Sequence, residues 1–248
     1  MTIPLFKSHY SIGKSILTLK PSKNEEAADS VFDLAQEASL KEVFLVEDSL
    51  VGFLEALKIS KDLDMNLRFG LRLSCVDDLS EESSACEHKV VIFSKNKRGC
   101  ELLNQIYSFA FTEGNKKIDI KNLARLWDDD ALKLVIPFYD SFIYKNLLSF
   151  SVCVPDFYFT KPTFFVEDNH LPFDQLIFDA VISYCKAQKL ECYQAKSIYY
   201  KNRSDFEAFQ TYKCVCNRGS FRKSSLECPN IDHCGSPEFS FESWKECK

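Results

Sequence analysis

Short apolar runs alternate with helical patterns along most of this 248-residue chain. Seven runs of five to nine residues predict strands: Thr2–Phe6, Glu42–Val46, Asn66–Ser74, Lys89–Phe93, Leu132–Pro137, Pro162–Val166 and Glu191–Ala195. Helices are predicted between them, one starting at a capping box at Ser22–Glu25 and the others at Ser49–Lys61, Lys97–Phe111, Leu171–Gln188 and Ser204–Cys216. Strands this apolar, connected by helices, are typical of a parallel α/β sheet. About seven such units favour a distorted (β/α) barrel over an open sheet.

The regular pattern ends near residue 216. Gly219, Pro229, Gly235 and Pro237 interrupt the segment that follows. We therefore predict a barrel over residues 1–216 and an irregular C-terminal appendage over residues 217–248. The appendage is expected to pack on the same domain and to end with a short helix, Glu238–Lys245.

Composition excludes several classes of protein. A net charge of -5, from 31 Lys and Arg against 36 Asp and Glu, argues against general coating of nucleic acid. No apolar run approaches the roughly 18 residues that a membrane span needs. Residues 1–20 lack the order of a signal peptide, so the eleven cysteines are expected to be reduced thiols in a cytoplasmic protein. Seven glycines leave no glycine-rich phosphate-binding loop.

Five segments, in matching order from about residue 3 to residue 246, resemble the PHP (polymerase and histidinol phosphatase) domain of bacterial DNA polymerase III alpha subunits. The strongest is Lys89–Leu103 (KVVIFSKNKRGCELL), which is similar to the family's H-L-x-L-L-A-K-N-x-x-G-Y-x-N-L. The others are Leu5–Ser11, Glu42–Leu54, Arg68–Leu73 and Gln194–Ala208. The resemblance implies a distorted barrel of seven βα units. It also implies a cluster of His, Asp, Glu and Cys side chains that binds up to three metals and hydrolyses phosphoesters.

At the positions where the family has its metal ligands, this chain has few residues that could bind a metal. These positions fall on Leu5, Lys7, Lys14, Val46, Glu47, Asp48, Arg72, Lys89, Phe138 (or the adjacent Pro137), Ser197 and Tyr199. Cations such as Lys7, Lys14 and Arg72 would repel metal ions in a shielded pocket. The resemblance therefore predicts a degenerate site with no catalytic residue and no metal.

The charges at these positions suggest a replacement for the metals. Lys7 and Arg72 are expected to pair with Glu47 or Asp48 and so to join the strand ends. Two alternatives remain: the cations bind a phosphate or nucleotide, or they are solvated charges at a loop rim.

The C-terminal third holds the densest group of thiols. Its members are Cys214, Cys216, Cys228, His233, Cys234 and Cys247. A structural zinc site would need four soft ligands at short paired spacing, and these spacings fit it poorly. Free thiols are favoured, with zinc as the alternative.

The resemblance implies an inactive PHP-type module of a polymerase III alpha-like replication protein. It would support the polymerase body or dock a proofreading exonuclease, with DNA reached through the assembly and no contact with a membrane. The chain would belong to a DNA-directed DNA polymerase only as part of a longer alpha subunit, because it contains no palm motif. One alternative is a metal-dependent phosphoesterase or 3'-5' exonuclease with a remodelled site. Another is a free-standing protein, for example from a phage, that mimics the domain to capture a replication partner.

The basic run Lys95–Arg98 is a further candidate for DNA contact, or simply a solvated face. A palm encoded in frame beyond Lys248 would favour the polymerase module. A stop codon there would favour the free-standing protein.

Overall fold

A computed structural model describes residues 2–20, 28–79, 87–149, 152–216 and 235–247. The strands within these ranges are β1 Ile3–Phe6, β2 Glu42–Glu47, β3 Asn66–Val76, β4 His88–Ser94, β5 Lys117–Asp119, β6 Leu132–Ile136, β7 Thr163–Val166 and β8 Cys192–Ile198. The helices are α1 Val31–Glu37, α2 Phe53–Asp62, α3 Lys97–Thr112, α4 Ile120–Arg125, α5 Phe142–Leu148, α6 Asp174–Gln188, α7 Phe206–Cys216 and α8 Phe241–Glu246.

Seven of the strands close into a barrel. Around the ring the order is β1-β2-β3-β4-β6-β7-β8, and β8 pairs again with β1. The remaining strand, β5, pairs with the far end of β3. The predicted seven-stranded α/β barrel is therefore confirmed.

The prediction of an entirely parallel sheet is wrong at β4, which runs antiparallel to both β3 and β6. Only residues 77–87 connect β3 to β4. A parallel crossover needs about a dozen or more residues, usually including a helix. The connection falls just short of that length, which favours the return of the chain in the opposite direction.

Local capping explains where the first helix begins. The predicted cap at Ser22 lies outside the described residues. Helix α1 instead starts at Val31, because the Ser30 hydroxyl accepts hydrogen bonds from the backbone N–H groups of Phe32 and Asp33. The short elements β5, α4 and α5 were not predicted, since three to seven residues show too little periodicity.

The hydrophobic core has two parts. The barrel interior is filled by Leu5, Val46, Val91, Phe93, Val135, Phe165 and Ala195. A larger cluster lies between the strands and the surrounding helices. The last helix, α8, joins this cluster through the fully buried Trp244, whose indole N–H donates to the carbonyl oxygen of Thr2 at 3.0 Å. Among the described residues, no helix combines the length and apolarity needed to cross a membrane.

Candidate functional site

One end of the barrel collects most of the chemically active side chains. We call this end the mouth. Strands β1, β2, β6, β7 and β8 end there, β4 begins there, and Arg72 lies there in the middle of the longer strand β3. A cavity of about 40 Å³ opens at the mouth. It is lined by Leu5, Phe6, Lys7, Val46, Arg72, Val91, Pro137, Tyr139, Phe165, Glu167, Ser197 and Tyr199. Its volume is enough for about three water molecules.

Six of the eleven positions named from the sequence line this cavity: Leu5, Lys7, Val46, Arg72, Ser197 and Tyr199. Glu47, Asp48 and Lys89 interact electrostatically with Lys7 or Arg72 from the surrounding strands and loops, and Lys14 interacts with Asp48. Phe138 differs from the others. Its fully buried side chain packs beside the Tyr139 ring, with 4.9 Å between the centroids.

An ion-pair network crosses the mouth. The Lys7 ammonium lies 3.1 Å from an Asp48 carboxylate oxygen, and the Arg72 guanidinium lies 3.9 Å from the same oxygen. Arg72 also contacts Asp140 at 2.5 Å. The side chains of Lys7 and Arg72 are only 5% and 12% exposed. The prediction was that both cations pair with Glu47 or Asp48; it is confirmed for Asp48, and the Asp140 contact is an addition.

Glu47 lies beside this network but has different hydrogen-bond partners. Its carboxylate accepts from the Ser8 backbone N–H at 2.8 Å and from the Ser11 hydroxyl. Burial raises the pKa of this fully buried carboxyl, although Lys7 and the two serines oppose the change. Glu47 therefore fastens the β1 exit loop to β2.

The charges of the network shift the pKa values of its members. Burial alone would raise the pKa of the Asp48 carboxyl, but Lys7 and Arg72 lower it more, to about 2. Burial would lower the pKa of Arg72, but Asp140 and Asp48 outweigh it and raise that pKa. Both groups are therefore charged at neutral pH.

The titration of Asp48 tests this network. Its folded-state pKa of about 2 lies below the ordinary value of 3.8, so its stabilising contribution is complete above 3.8 and is lost as the pH falls through 2. We expect Lys7→Met to move the pKa of Asp48 upward, toward 3.8. Carbon-13 NMR titration of the carboxyl group measures it. An unchanged pKa in this variant would mean that Lys7 does not act on Asp48.

A second buried polar cluster lies at the mouth where β7 and β8 end. Glu167 accepts hydrogen bonds from both the backbone N–H and the hydroxyl of Ser197, each at 2.8 Å. The amide of Asn169 donates to Glu167 and to the Tyr139 hydroxyl. That hydroxyl lies 3.0 Å from Asp174. Burial raises the pKa of Glu167, and its hydrogen bonds oppose the change.

The sequence interpretation named Ser197 but none of its partners in this cluster, and it did not name Asp140. One pattern was available: Glu167 directly follows the apolar strand β7, and Asp140 follows β6 closely. The carboxyl ends of neighbouring parallel strands meet at the same end of a barrel. Polar residues just after each strand were therefore candidates for the mouth.

The donor set of the mouth does not fit a metal cluster. At the positions that the resemblance assigns to ligands, the cavity presents the ammonium of Lys7, the guanidinium of Arg72 and the apolar Leu5 and Val46. Divalent cations prefer carboxylates and neutral imidazoles. Among the described residues, no three His, Cys, Asp or Glu side chains are grouped so that they could hold a metal ion.

The cysteines are only partly covered by the described residues. Cys214 and Cys216 lie in α7 and are free thiols, as is Cys247. Cys228, His233 and Cys234 lie outside the described residues, so the zinc alternative stays a prediction. Seven described cysteines are free, but Cys153 is disulfide-bonded. The prediction that all thiols are reduced is therefore wrong for Cys153.

Comparisons with known proteins give limited matches. No model of a known protein family matches the chain, and no curated protein matches it. Seventeen chains of solved structures match in structure. One is a proposed metal-dependent phosphoesterase from Bifidobacterium adolescentis, with a TM-score of 0.45 and 11% identity over 79% of this chain and 87% of that one. The description of the fold accordingly rests on the strand pairings given above.

Proposed function

We propose that this chain is a PHP-like barrel that no longer binds metals. In this proposal it is a non-catalytic module of a polymerase III alpha-like replication protein, which supports the polymerase body or docks a proofreading exonuclease. The observation that carries the proposal is the pair of buried cations, Lys7 and Arg72, at positions where the resemblance puts metal ligands.

Electrostatics explains why these cations oppose a metal. At an effective dielectric constant of about 20, a divalent ion about 4 Å from one fixed cation is repelled by roughly 8 kcal/mol. Carboxylates could offset this repulsion, but Asp48 and Asp140 are already paired with Lys7 and Arg72. The network also joins β1, β3 and the loops after β2 and β6, so the strand ends are held together without a metal.

Metal analysis and cleavage assays test the proposal. We expect the purified chain to contain no stoichiometric zinc, manganese or iron by mass spectrometry. We also expect no cleavage of bis(p-nitrophenyl) phosphate or of single-stranded DNA when manganese is added. Glu167→Gln is the control, because trace cleavage that persists in this variant belongs to a contaminating nuclease.

The opposite result would overturn the proposal. Stoichiometric metal, together with cleavage that EDTA and Glu167→Gln both abolish, would identify a phosphoesterase with a remodelled site. For the replication context, the discriminating observation is the reading frame beyond Lys248. A polymerase palm encoded in the same reading frame would support the replication context. A genome that encodes no such palm would count against it.

A further inference from the structure

A groove on the outer surface of the barrel lies between the N-terminal end of α2 and the first half of α3. Its volume is about 470 Å³, within the range of ligand-binding clefts. The residues that line it are Leu50, Phe53, Leu54, Lys97, Cys100, Glu101, Leu103 and Asn104. Neither the barrel interior nor the mouth contributes to it.

On the side of α2, the wall of the groove is formed by the apolar Leu50, Phe53 and Leu54. Leu54 is 75% exposed and the nearby Val51 is 69% exposed, although both are large hydrophobic side chains. Phe53 is partly buried and packs edge-on against Phe69, which anchors this wall to the barrel. Leaving such apolar surface in water costs free energy, which a partner would recover by covering it.

The rim of the groove is cationic. Lys97 and Arg98 form the first turn of α3, where the helix dipole already favours negative charge. Lys58 lies one turn beyond Leu54 on the exposed face of α2. Two carboxylates stand near these three cations: Glu101, which also lines the groove and pairs with Arg98 at 3.4 Å, and Asp62, which lies one turn beyond Lys58. The chain as a whole carries a net charge of -5, so this local excess of positive charge is contrary to its average.

We propose that this groove docks an acidic amphipathic segment of a partner protein. Apolar side chains of the segment would fill the space between Leu54 and Leu103, and its carboxylates would face Lys97, Arg98 and Lys58. This is the helix-in-groove mode of peptide recognition, in which apolar anchors give affinity and rim charges give orientation. The inference rests on the docking part of the proposed function and names the surface and the chemistry of the partner.

Two other occupants fit the observations less well. A basic segment would be repelled by the rim, and a nucleic acid backbone would leave the apolar Leu54 and Val51 uncovered. In a symmetric contact, a second copy of the chain would place the cations of its rim against the same cations of the first. An acidic apolar segment satisfies both the shape and the charge.

Peptide display on the full chain tests the proposal. A phage library of random linear peptides is selected on the wild type, and the enriched peptides are synthesised for binding assays. We expect the enriched peptides to combine leucine or phenylalanine at helical spacing with aspartate or glutamate. Leu54→Glu and the pair Lys97→Glu with Arg98→Glu should each weaken binding by about tenfold or more, and affinity should fall with added salt.

Two controls separate this site from other surfaces. Val152→Glu places the same charge on a side chain that is 92% exposed and outside the groove, so it should leave binding unchanged. Iodoacetamide footprinting gives a second readout. Bound peptide should protect Cys100, which lines the groove, and leave the exposed Cys247 reactive.

Several results would overturn the proposal. The first is a selection in which no peptides bind the wild type better than the Leu54→Glu variant. The second is enrichment of basic peptides, and the third is peptide binding that Leu54→Glu does not affect. A concentration-dependent dimer that Leu54→Glu dissolves would assign the groove to a second copy instead. These outcomes are independent of the metal and cleavage assays. If the peptide-binding test fails, the proposal of a non-catalytic mouth is unaffected. If the metal and cleavage assays contradict that proposal, the proposed docking groove is unaffected.

Discussion

Replacing Arg72 by methionine is expected to lower the free energy of unfolding by about 3 kcal/mol. Removing one partner of a buried ion pair typically costs about 3–5 kcal/mol, because the other charge stays buried without compensation. The lower end applies here, since the Asp48 and Asp140 side chains are 35% and 27% exposed and water can reach them. Urea unfolding followed by circular dichroism measures the change.

Arg68→Met is the matched control for this prediction. Arg68 lies on the same strand and contacts Glu42 at 2.6 Å, but both side chains are about 40% exposed, at 41% and 39%. An exposed pair contributes about 0–1 kcal/mol, so this variant should be nearly as stable as the wild type. Equal losses in the two variants would show that burial of the mouth network is not what makes Arg72 important.

A double-mutant cycle isolates the Arg72–Asp140 contact. Arg72→Met combined with Asp140→Asn should cost less than the sum of the two single variants, because the double variant leaves no unpaired charge in that contact. Strict additivity would mean that the two side chains do not stabilise each other. The cycle tests directly whether the ion pairs hold the strand ends together.

Replacing Gly99 by alanine is expected to lower the free energy of unfolding by about 2 kcal/mol. A Cβ atom at this position would lie 2.2 Å from the backbone carbonyl oxygen of Ala131 and 3.3 Å from the Cα of Ser94. Neither atom can move without shifting the backbone, so the cost lies at the upper end of the overpacking range of about 1–3 kcal/mol. It exceeds the gain of about 1 kcal/mol that alanine brings to a helix.

Ser108→Ala is the control, because Ser108 is an exposed residue of the same helix. Its effect should stay within about 0.5 kcal/mol. Thermal unfolding of the three proteins gives the comparison. If Gly99→Ala were as stable as the wild type, α3 would not approach the strand connection as closely as the structure shows.

The Gly99 contact also explains the strongest part of the sequence resemblance. The Asn96 side chain caps α3 by accepting from the Gly99 N–H at 2.9 Å, and Gly99 lets the helix lie against Ala131. The K-N-x-x-G pattern is therefore a strand-to-helix connection with a required small residue. The pattern is explained by helix capping and by packing against the barrel, without any role in binding a ligand.

Much of the barrel could be predicted because its strands are short apolar runs between amphipathic helices. The direction of β4 was missed because the predicted strands left residues 75–88 between them, and only the longer β3 and β4 of the structure shorten this connection to residues 77–87. The elements β5, α4 and α5 were missed because three to seven residues are too few to show a period. The start of α1 depended on Ser30, one of several candidate caps.

The candidate site was predictable only in part. Residues at strand ends could be assigned to the mouth, because strands of a barrel share one end. The carboxylate partners could not all be chosen in advance: Asp140 is 68 residues from Arg72 and reaches it from a left-handed turn with φ of 60°. Glu167 and Asn169 form their network with Ser197 and Tyr139 only after β7 and β8 are paired.

The sequence by itself determined the alternation of strands and helices and the residue types at the strand ends, including the cations Lys7 and Arg72. These are local properties, since periodicity and side-chain chemistry are written along the chain. Tertiary structure decided that Asp48 and not Glu47 pairs with those cations, that Asp140 joins it, and that α2 and α3 frame an apolar groove with a cationic rim. Ion pairs act over about 4 Å. Only closure of the barrel brings residues that are tens of positions apart within that distance.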